Sequence, residues 1–279
     1  MATVDEYLNS LLDKRSNNNF YTQNEEQAYS YMYNLINKWK QSFNTMNPWY
    51  NISIEMQKSG SKAKGDAIKG KSDIDIFVSI TDRNNNYTVK QYYEDLYLFL
   101  KPYFYNNTIR KQNVSIGVTY AGCNIDITPG KLVNHQNYVY GSNYYDHYIY
   151  SRKNDHNTLT NIQKHIDMVK NSGLSKEMMI LKIWKNCHNL ELPSIAIEII
   201  TCEVLKNNHR SYSLYNNVKK VLESLRDTIT TRRIIDPANS NNNIADTMTA
   251  QEKEQIRRTA IQSLSYDNGD VVYTSKIVW

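Results

Sequence analysis

The sequence has few cysteines and no long apolar segment. Cys123, Cys187 and Cys202 are far apart and odd in number, which fits neither a disulfide framework nor a zinc site, so we expect reduced core thiols. No apolar run approaches the ~20 residues of a membrane helix. The N-terminal stretch MATVDEYLNSLLDKRSNN is acidic early and lacks an apolar signal core. We therefore expect a cytoplasmic protein without a membrane partner.

The charge imbalance is also small. The net charge is +5 and the sequence pI is about 8.8, a mild bias toward polyanionic ligands such as nucleotides or RNA. Hydrophobic residues make up 40% of the 279 residues and charged residues 22%, as in folded globular proteins. This length allows one large domain or two lobes. We find no repeat and no low-complexity linker.

Hydrophobic periodicity predicts an α+β protein. Helices are expected at residues 4–13, 22–44, 88–104, 160–172, 175–189, 194–206, 211–229 and 249–264. Strands are expected at 51–57, 74–80, 114–118 and 123–127, the last two forming a hairpin. We interpret residues 134–155 as a long loop and 240–243 as a polar loop. The character of the chain changes near residue 155, so we expect a mixed α/β lobe over 1–155 and a helical lobe over 156–279.

The stretch from Lys58 to Ile80 carries the strongest chemical signal. Asp73 and Asp75 are two residues apart, so on a strand their carboxylates leave the same face. Gly60 and Ser61, upstream, predict a turn that can cradle a phosphate. Solvated acids at the end of a strand are the alternative, but the apolar neighbours predict burial, which is costly for unpaired carboxylates. The pattern favours metal-assisted nucleotidyl transfer.

Asp126 is the candidate for a third carboxylate. By itself, an aspartate before a Thr-Pro sequence is more often a turn former. Its place on the strand that follows the acidic pair favours a functional role. Asp73, Asp75 and Asp126 would then be the catalytic residues and the ligands of two Mg²⁺ or Mn²⁺ ions, because the ligands are all oxygen and the substrate supplies phosphates.

Four segments resemble one protein superfamily. GSKAKGDAIKGKSDIDIFV resembles the nucleotidyltransferase signature of the DNA polymerase β superfamily, and NIDITPG resembles its third-carboxylate strand. MILKIWKNCHNLELPSIAIEIITCEVL is similar to the helical lobe of one branch. That branch holds archaeal-type CCA-adding enzymes, oligoadenylate synthetases and bacterial cGAS/DncV-like cyclic-oligonucleotide synthases. IIDPANSNNNIADTM, with Asp236-Pro237 and Asn243, resembles a loop of the same branch.

The resemblance implies a polymerase β-like nucleotidyltransferase lobe, with a mixed sheet and flanking helices, and a C-terminal helical lobe that closes the nucleotide cleft. It also implies nucleotide contacts by Gly60, Ser61, Lys182, Lys185 and Ser194. For the two lysines the alternative is a solvated helix face, and for Ser194 it is a plain N-cap. Where the family usually has Gly-Thr, this chain has Gly65-Asp66, an extra carboxylate that would weaken nucleotide binding or face solvent.

Three functions follow from the resemblance. The first is synthesis of a cyclic di- or oligonucleotide messenger from NTPs, with pyrophosphate release, in bacterial antiphage defence. The short segment after the helical lobe favours it over the CCA-adding enzymes. The second is transfer of nucleotides to RNA ends or to a protein, as a toxin. The third is a nucleotide-binding regulator without catalysis. The expected partners are NTPs and an activating or substrate RNA, and we expect a monomer.

Overall fold

The computed structural model describes residues 3–15, 22–49, 51–70, 73–82, 84, 87–105, 108–133, 145–206 and 210–266. They form two compact units, each made of discontinuous segments. We call Asn18–Lys64 with Ser72–Ile166 the sheet unit, and Met1–Asn17, Gly65–Lys71 and Asp167–Trp279 together the helical unit. Each unit has its own hydrophobic core.

The helices and strands are numbered along the chain. The helices are α1 (Val4–Arg15), α2 (Gln23–Met46), α3 (Gly60–Lys64), α4 (Val89–Leu100), α5 (Ile162–Ser172), α6 (Ser175–Cys187), α7 (Ser194–Val204), α8 (Leu214–Thr228) and α9 (Ala250–Ser265). The strands are β1 (Ile52–Lys58), β2 (Ile74–Asp82), β3 (Ile109–Lys111), β4 (Ile116–Tyr120), β5 (Cys123–Leu132), β6 (His147–Ser151), β7 (His156–Thr160), β8 (Ile235–Asp236) and β9 (Asn239–Asn243).

The sheet unit is built on a mixed sheet. Its strands lie in the order β1-β2-β5-β4-β3, with β6 paired to the end of β5 and β7 paired to β6. The β2–β5 pair is parallel, and the other pairs in this sheet are antiparallel. Alternate residues of β2 lie in one core with α2 and α4, whereas Asp75, Phe77 and Ser79 leave the opposite face. The side-chain period of two therefore separates the core from the candidate site.

Two threonines fix where the long helices of the sheet unit begin. Thr22 and Thr88 each accept a hydrogen bond from the backbone three residues on, and Glu25 and Gln91 return a bond to the cap. Such a capping box satisfies two backbone N–H groups that have no partner within the helix. Trp39 of α2 then donates its indole N–H to Asp95 of α4 over 2.7 Å, which links the two helices.

The helical unit packs α1 and α6 to α9 around a second core. Leu8, Leu11 and Leu12 of α1 and Ile68 from the short 65–71 segment are buried members of that core. Trp184 is buried in it and donates its indole N–H to the Ser263 hydroxyl over 2.9 Å. Both N-terminal and C-terminal parts of the sequence therefore contribute to this unit.

The predicted fold class is confirmed: the protein is α+β, with a mixed sheet and a C-terminal helical region. The expected helices and the 114–127 hairpin are present. The helix expected over 88–104 ends at Leu100, and a 3₁₀ turn containing Pro102 follows, since proline cannot continue the helical hydrogen-bonding.

Two predicted loops are wrong. Within 134–155, residues 147–151 form β6, while 134–144 lie outside the described residues. The strand shows no clear alternation because His147 and Ser151 are polar yet buried. Residues 240–243 belong to β9, which pairs with β8. These residues are all polar, so they lack the apolar alternation from which a strand is predicted.

The division of the chain also differs from the single boundary expected at 155/156. Strands β6 and β7 extend the sheet to Thr160, so the sheet unit continues to Ile166. Helix α1 and residues 65–71 belong to the helical unit. The segment after the helical lobe, from residue 267, lies outside the described residues. None of the helices in the described ranges combines the length and the apolar character needed to cross a bilayer.

Candidate active site

Three carboxylates come together at one end of the β2–β5 pair. Asp75 of β2 is the register partner of Asp126 of β5, and register partners in neighbouring strands point to the same face. Asp73 lies two residues before Asp75, immediately ahead of β2. The three carboxylates therefore lie within a single unit, with Asp75 and Asp126 on paired strands and Asp73 ahead of β2 and not on it.

Burial and neighbouring negative charges act on two of these aspartates, Asp75 and Asp126. Burial, followed by the charges of Asp126 and Asp73, raises the pKa of Asp75 to about 7. Burial and the charge of Asp73 also raise the pKa of Asp126. Lys64 and Lys62 oppose the shift at Asp75. Like charges held this close favour a cation between them.

Gly60 makes the approach of Asp75 possible. A Cβ atom on residue 60 would lie 1.8 Å from Asp75 Oδ2 and 2.3 Å from its Cγ, and φ of Gly60 is +65°. The backbone N–H of Ser59 also donates to the carbonyl of Asp75 over 2.9 Å. Residue 60 must be glycine for two reasons, the left-handed backbone and the space taken by the carboxylate.

The donor set fits a divalent cation. Asp73 and Asp75 accept no side-chain hydrogen bond within the described ranges, and Asp126 accepts one, so most of the six carboxylate oxygens remain available. Hard cations such as Mg²⁺ prefer such oxygen ligands. As they stand, these side chains are not arranged as a metal site: among the described residues, no group of three or more His, Cys, Asp or Glu side chains is placed to hold a metal ion.

The predicted phosphate cradle is a five-residue helix, α3. The Ser61 hydroxyl is half-buried, and no residue in the described ranges hydrogen-bonds to it. The ammonium of Lys62, in contrast, is buried against the carboxylate of Glu25 on α2. Sequence reasoning missed that Lys62 anchors this turn to α2 and that Lys64 lies near Asp75.

Lys182 is not presented to solvent. Its side chain is buried in the helical unit, where the ammonium donates to the carboxylate of Asp66 and, over 2.9 Å, to Glu198. Relative exposures are 5% for Lys182, 0% for Asp66 and 1% for Glu198. The expectation that Asp66 faces solvent is therefore wrong: its carboxylate fixes residues 65–70 to α6, shortly before Asp73 and Asp75 in sequence.

Lys185 and Ser194 have different surroundings. Lys185 is half-buried on α6 and has no ion pair within the described ranges, and burial lowers the pKa of its ammonium. Ser194 is the exposed first residue of α7. The helix has Pro193 at its N-cap and no side-chain cap, so the interpretation of Ser194 as an N-cap is wrong. Both side chains remain available to a ligand.

The Asp-Pro and Asn elements of the fourth resembling segment are structural. Asp236 accepts hydrogen bonds from the backbone of Ala238, over 2.8 Å, and from the side chain of Asn242, over 3.0 Å. Asn243 accepts from the backbone of Ile234 over 2.8 Å and from that of Ala245 over 3.3 Å. These bonds close the β8–β9 turn and begin the following 3₁₀ helix.

A buried histidine lies farther along the face that carries Asp75. His147 Nε2 is 2.8 Å from the Ser79 hydroxyl, and Nδ1 is 2.9 Å from the carbonyl oxygen of Tyr145. A carbonyl only accepts, so Nδ1 carries the proton and Nε2 accepts from Ser79. Burial lowers the pKa of His147 to about 4, although the Tyr145 bond and the charges of Asp146 and Glu55 oppose the shift.

Comparisons with known proteins find one matching family model and several solved structures with a similar fold. Residues 36–117 match the family model described as a nucleotidyltransferase domain. No curated protein sequence matches the chain. Among solved structures, CdnC of Escherichia coli MS115-1, determined with ATP, is 18% identical with a TM-score of 0.71, covering 98% of this chain and 95% of that one.

Two further structures extend the likeness. CdnG of Bradyrhizobium diazoefficiens, described as a CD-NTase in complex with GTP, is 10% identical with a TM-score of 0.66 and covers 99% of this chain and 96% of that one. DncV of Vibrio cholerae, described as a cyclic AMP-GMP synthase and a prokaryotic cGAS homolog, is 12% identical with a TM-score of 0.57, covering 81% of this chain and 69% of that one. The chain thus has the fold of these solved structures, and residues 36–117 are similar to a nucleotidyltransferase domain.

Proposed function

We propose that the protein is a metal-dependent nucleotidyltransferase that makes a cyclic di- or oligonucleotide from NTPs. The observation that carries the proposal is the Asp73–Asp75–Asp126 group, with Asp75 and Asp126 in register and Gly60 against Asp75. The likeness to CdnC determined with ATP and to the CD-NTase CdnG determined with GTP supports the choice of substrate class. We further propose that this product is a signal in antiphage defence.

In the proposed reaction, an acceptor hydroxyl oxygen forms a bond to the α-phosphorus of an NTP. The bond from that phosphorus to the β-phosphate bridging oxygen breaks, pyrophosphate leaves with the electron pair, and the hydroxyl proton passes to solvent or base. Two divalent cations, held by Asp73, Asp75 and Asp126, would stabilise the developing charge and lower the pKa of the hydroxyl. Mg²⁺ or Mn²⁺ suits these ligands.

The chain's own groups have separate tasks in this proposal. Gly60 leaves room for Asp75, and the Ser61 hydroxyl and neighbouring backbone contact the transferred nucleotide's phosphates. We assign further phosphate contacts to Lys185 and Ser194, because each side chain has a polar group that no described residue engages. Lys182 instead stabilises the helical unit through Asp66 and Glu198.

The test is incubation of the purified protein with four labelled NTPs and Mg²⁺ or Mn²⁺, followed by phosphatase treatment and separation. Phosphatase-resistant oligonucleotides are the expected product. Label that appears only after RNA or protein is added would overturn the choice of acceptor, and bound nucleotide without any product would point to a regulator. Asp73→Ala with Asp75→Ala should abolish product while the far-ultraviolet circular dichroism spectrum is unchanged; surviving turnover would refute the site.

A further inference from the structure

Among the three carboxylates, Asp126 has a distinct neighbour. The side-chain amide of Gln112, which follows β3, donates from Nε2 to Asp126 Oδ1 over 3.0 Å. Asp73 and Asp75 have no comparable bond within the described ranges. One oxygen of Asp126 is thereby fixed by the protein, and the other is left for a ligand. Free rotation of the carboxylate about its last torsion is restricted.

The orientation of the Gln112 amide is itself determined by the structure. A carboxylate only accepts, so the NH₂ group of Gln112 must face Asp126. The amide oxygen then accepts from the hydroxyl of Ser115, a buried residue. The backbone of Gln112 donates to the Ser115 carbonyl over 2.9 Å, and the Tyr93 hydroxyl donates to that same carbonyl over 2.9 Å. This turn therefore holds Gln112 in one arrangement.

Gly117 provides the space that the amide occupies. On β4 it is the register partner of Asp126. A Cβ atom there would lie 2.7 Å from Gln112 Nε2 and 3.1 Å from both Nε and Cζ of Arg110. The backbone of Gly117 is not in the left-handed region, so its glycine is explained by the two side chains that lie over it and not by its dihedral angles.

Arg110 completes the group. It is exposed on β3, in register with Gly117, and forms no ion pair within the described ranges. Its positive charge opposes the rise in the pKa of Asp126 that burial causes. It therefore favours the ionised carboxylate, which is the form that binds a cation. Three residues that are not part of any recognised motif in the sequence thus converge on the third carboxylate.

We propose that Gln112 is a positioning residue that holds one oxygen of Asp126 so that its other oxygen faces the divalent cation. Glycine at position 117 is required because it leaves room for the Gln112 amide. This inference rests on the proposed function, because it takes Asp126 to be a metal ligand. Outer partners that orient a metal ligand typically change metal affinity or activity by about 10- to 100-fold when removed. A side chain at position 117 would displace the Gln112 amide, which offers a second way to remove the same hydrogen bond.

The test compares Gln112→Leu, which removes the donor, with Gly117→Ala, which keeps the donor but displaces it. Gln57→Leu is the matched control, since Gln57 is a half-buried strand glutamine bonded to Gln163 over 3.2 Å and not to a carboxylate. The first readout is a titration with Mn²⁺ alone, followed by electron paramagnetic resonance. Both test variants should bind Mn²⁺ about 10- to 100-fold more weakly than wild type, whereas the control should not.

The second readout is product formation from NTPs at saturating Mn²⁺. We expect kcat to fall in both test variants while KM for NTP stays near the wild-type value, since Gln112 does not contact the nucleotide in this proposal. Ser115→Ala, which frees the amide to rotate, replaces Gln112→Leu if that variant does not fold, and a smaller loss of Mn²⁺ affinity is then expected. Folding is checked by circular dichroism and thermal unfolding.

Mn²⁺ binding equal to wild type in folded Gln112→Leu and Gly117→Ala would overturn the inference. The inference would also be overturned if the Asp73→Ala with Asp75→Ala variant bound Mn²⁺ as tightly as wild type. It would equally be overturned if the wild-type protein bound no Mn²⁺. Failure of the proposed function is a different result: wild type would bind Mn²⁺, lose affinity in the test variants, and yet make no product from NTPs.

Discussion

The Asp75 carboxylate fills the space that a side chain on residue 60 would need: a Cβ atom on residue 60 would lie 1.8 Å from Asp75 Oδ2. The glycine of the Gly60-Ser61 turn therefore determines where a carboxylate can be placed as well as how the backbone turns. The two residues are 15 positions apart in sequence, and the hydrogen bond from Ser59 to the Asp75 carbonyl holds their backbones together. The turn proposed to hold a phosphate and the carboxylates proposed to bind metal are therefore one structural feature.

Gly60→Ala should reduce nucleotidyl transfer by at least about 100-fold, because a shift of about 1 Å in a catalytic group has that effect. Gly70→Ala is the matched control. Gly70 has φ of +72° but nothing within 4 Å of its Cβ position, so it has similar backbone strain, about 1 kcal/mol, without the clash. Equal activity in the two variants, measured by pyrophosphate release, would contradict this account.

Lys182→Met should lower the free energy of unfolding by about 3–5 kcal/mol, because it leaves Asp66 and Glu198 buried without their cation. Urea unfolding followed by tryptophan fluorescence measures this, since Trp184 lies in the same core.

Lys185→Met is the companion variant on the same helix. Since Lys185 has no ion pair within the described ranges, its removal should change the free energy of unfolding by no more than about 0.5 kcal/mol. It should instead weaken binding of a fluorescent ATP analogue. Unaltered nucleotide affinity in Lys185→Met, or unaltered stability in Lys182→Met, would reverse the roles assigned to the two lysines.

Divalent cations should stabilise the folded protein through the three aspartates. A ligand at about 100 times its dissociation constant adds about 2.7 kcal/mol to the free energy of unfolding. Asp75→Asn with Asp126→Asn should abolish this gain and, in the presence of EDTA, should unfold no more easily than wild type, because the repulsion between the carboxylates is gone. Thermal unfolding with Mg²⁺ and with EDTA measures both effects; a Mg²⁺-dependent shift that persists in the variant would place the ion elsewhere.

His147 should make the protein less stable in acid. Its folded pKa of about 4 lies below the ordinary value of 6.5, so the unfolded chain binds a proton between these values and the folded chain does not. Stability is therefore lost as the pH falls below 6.5, by about 2 kcal/mol from roughly pH 7 to pH 5.

The contribution of His147 is isolated by difference. Other groups titrate in the same range, including Asp75 with the opposite sign, and they cancel when wild type is compared with His147→Asn at both pH values. His156→Asn, which removes an exposed histidine of β7, is the matched substitution control. An identical pH dependence in His147→Asn would show that His147 is not held neutral by the fold.

The parts of the fold that sequence reasoning predicted are those with local, regular signals. The strand predicted at 74–80 placed Asp75 on β2, and the alternation in the 114–127 hairpin placed Asp126 on a strand of the same sheet. The pairing of β2 with β5 then brings Asp75 and Asp126 into register. Such signals depend only on neighbours along the chain.

What sequence reasoning missed depends on partners distant in sequence. Asp66 is 116 positions from Lys182, and no local pattern indicates that a carboxylate will meet that ammonium. In the sequence, Gln112 is one of many polar residues near the end of a strand. Its bond to Asp126 is evident only once strand pairing places Gly117 beneath its amide. Strand β6 was hidden because His147 is buried by hydrogen bonds and not by hydrophobicity.

The way the chain passes between its units limits how this protein can be divided or recombined. Residues 65–71 place Ile68 and Asp66 in the interior of the helical unit, while both flanking segments belong to the sheet unit. A fragment that ends at residue 166 would carry α1 and Ile68 without the core they complete, and the remaining fragment would lack them. Exchange of one unit between homologous proteins at a single crossover point would give two defective cores, so a chimaera that exchanges a whole unit needs four junctions.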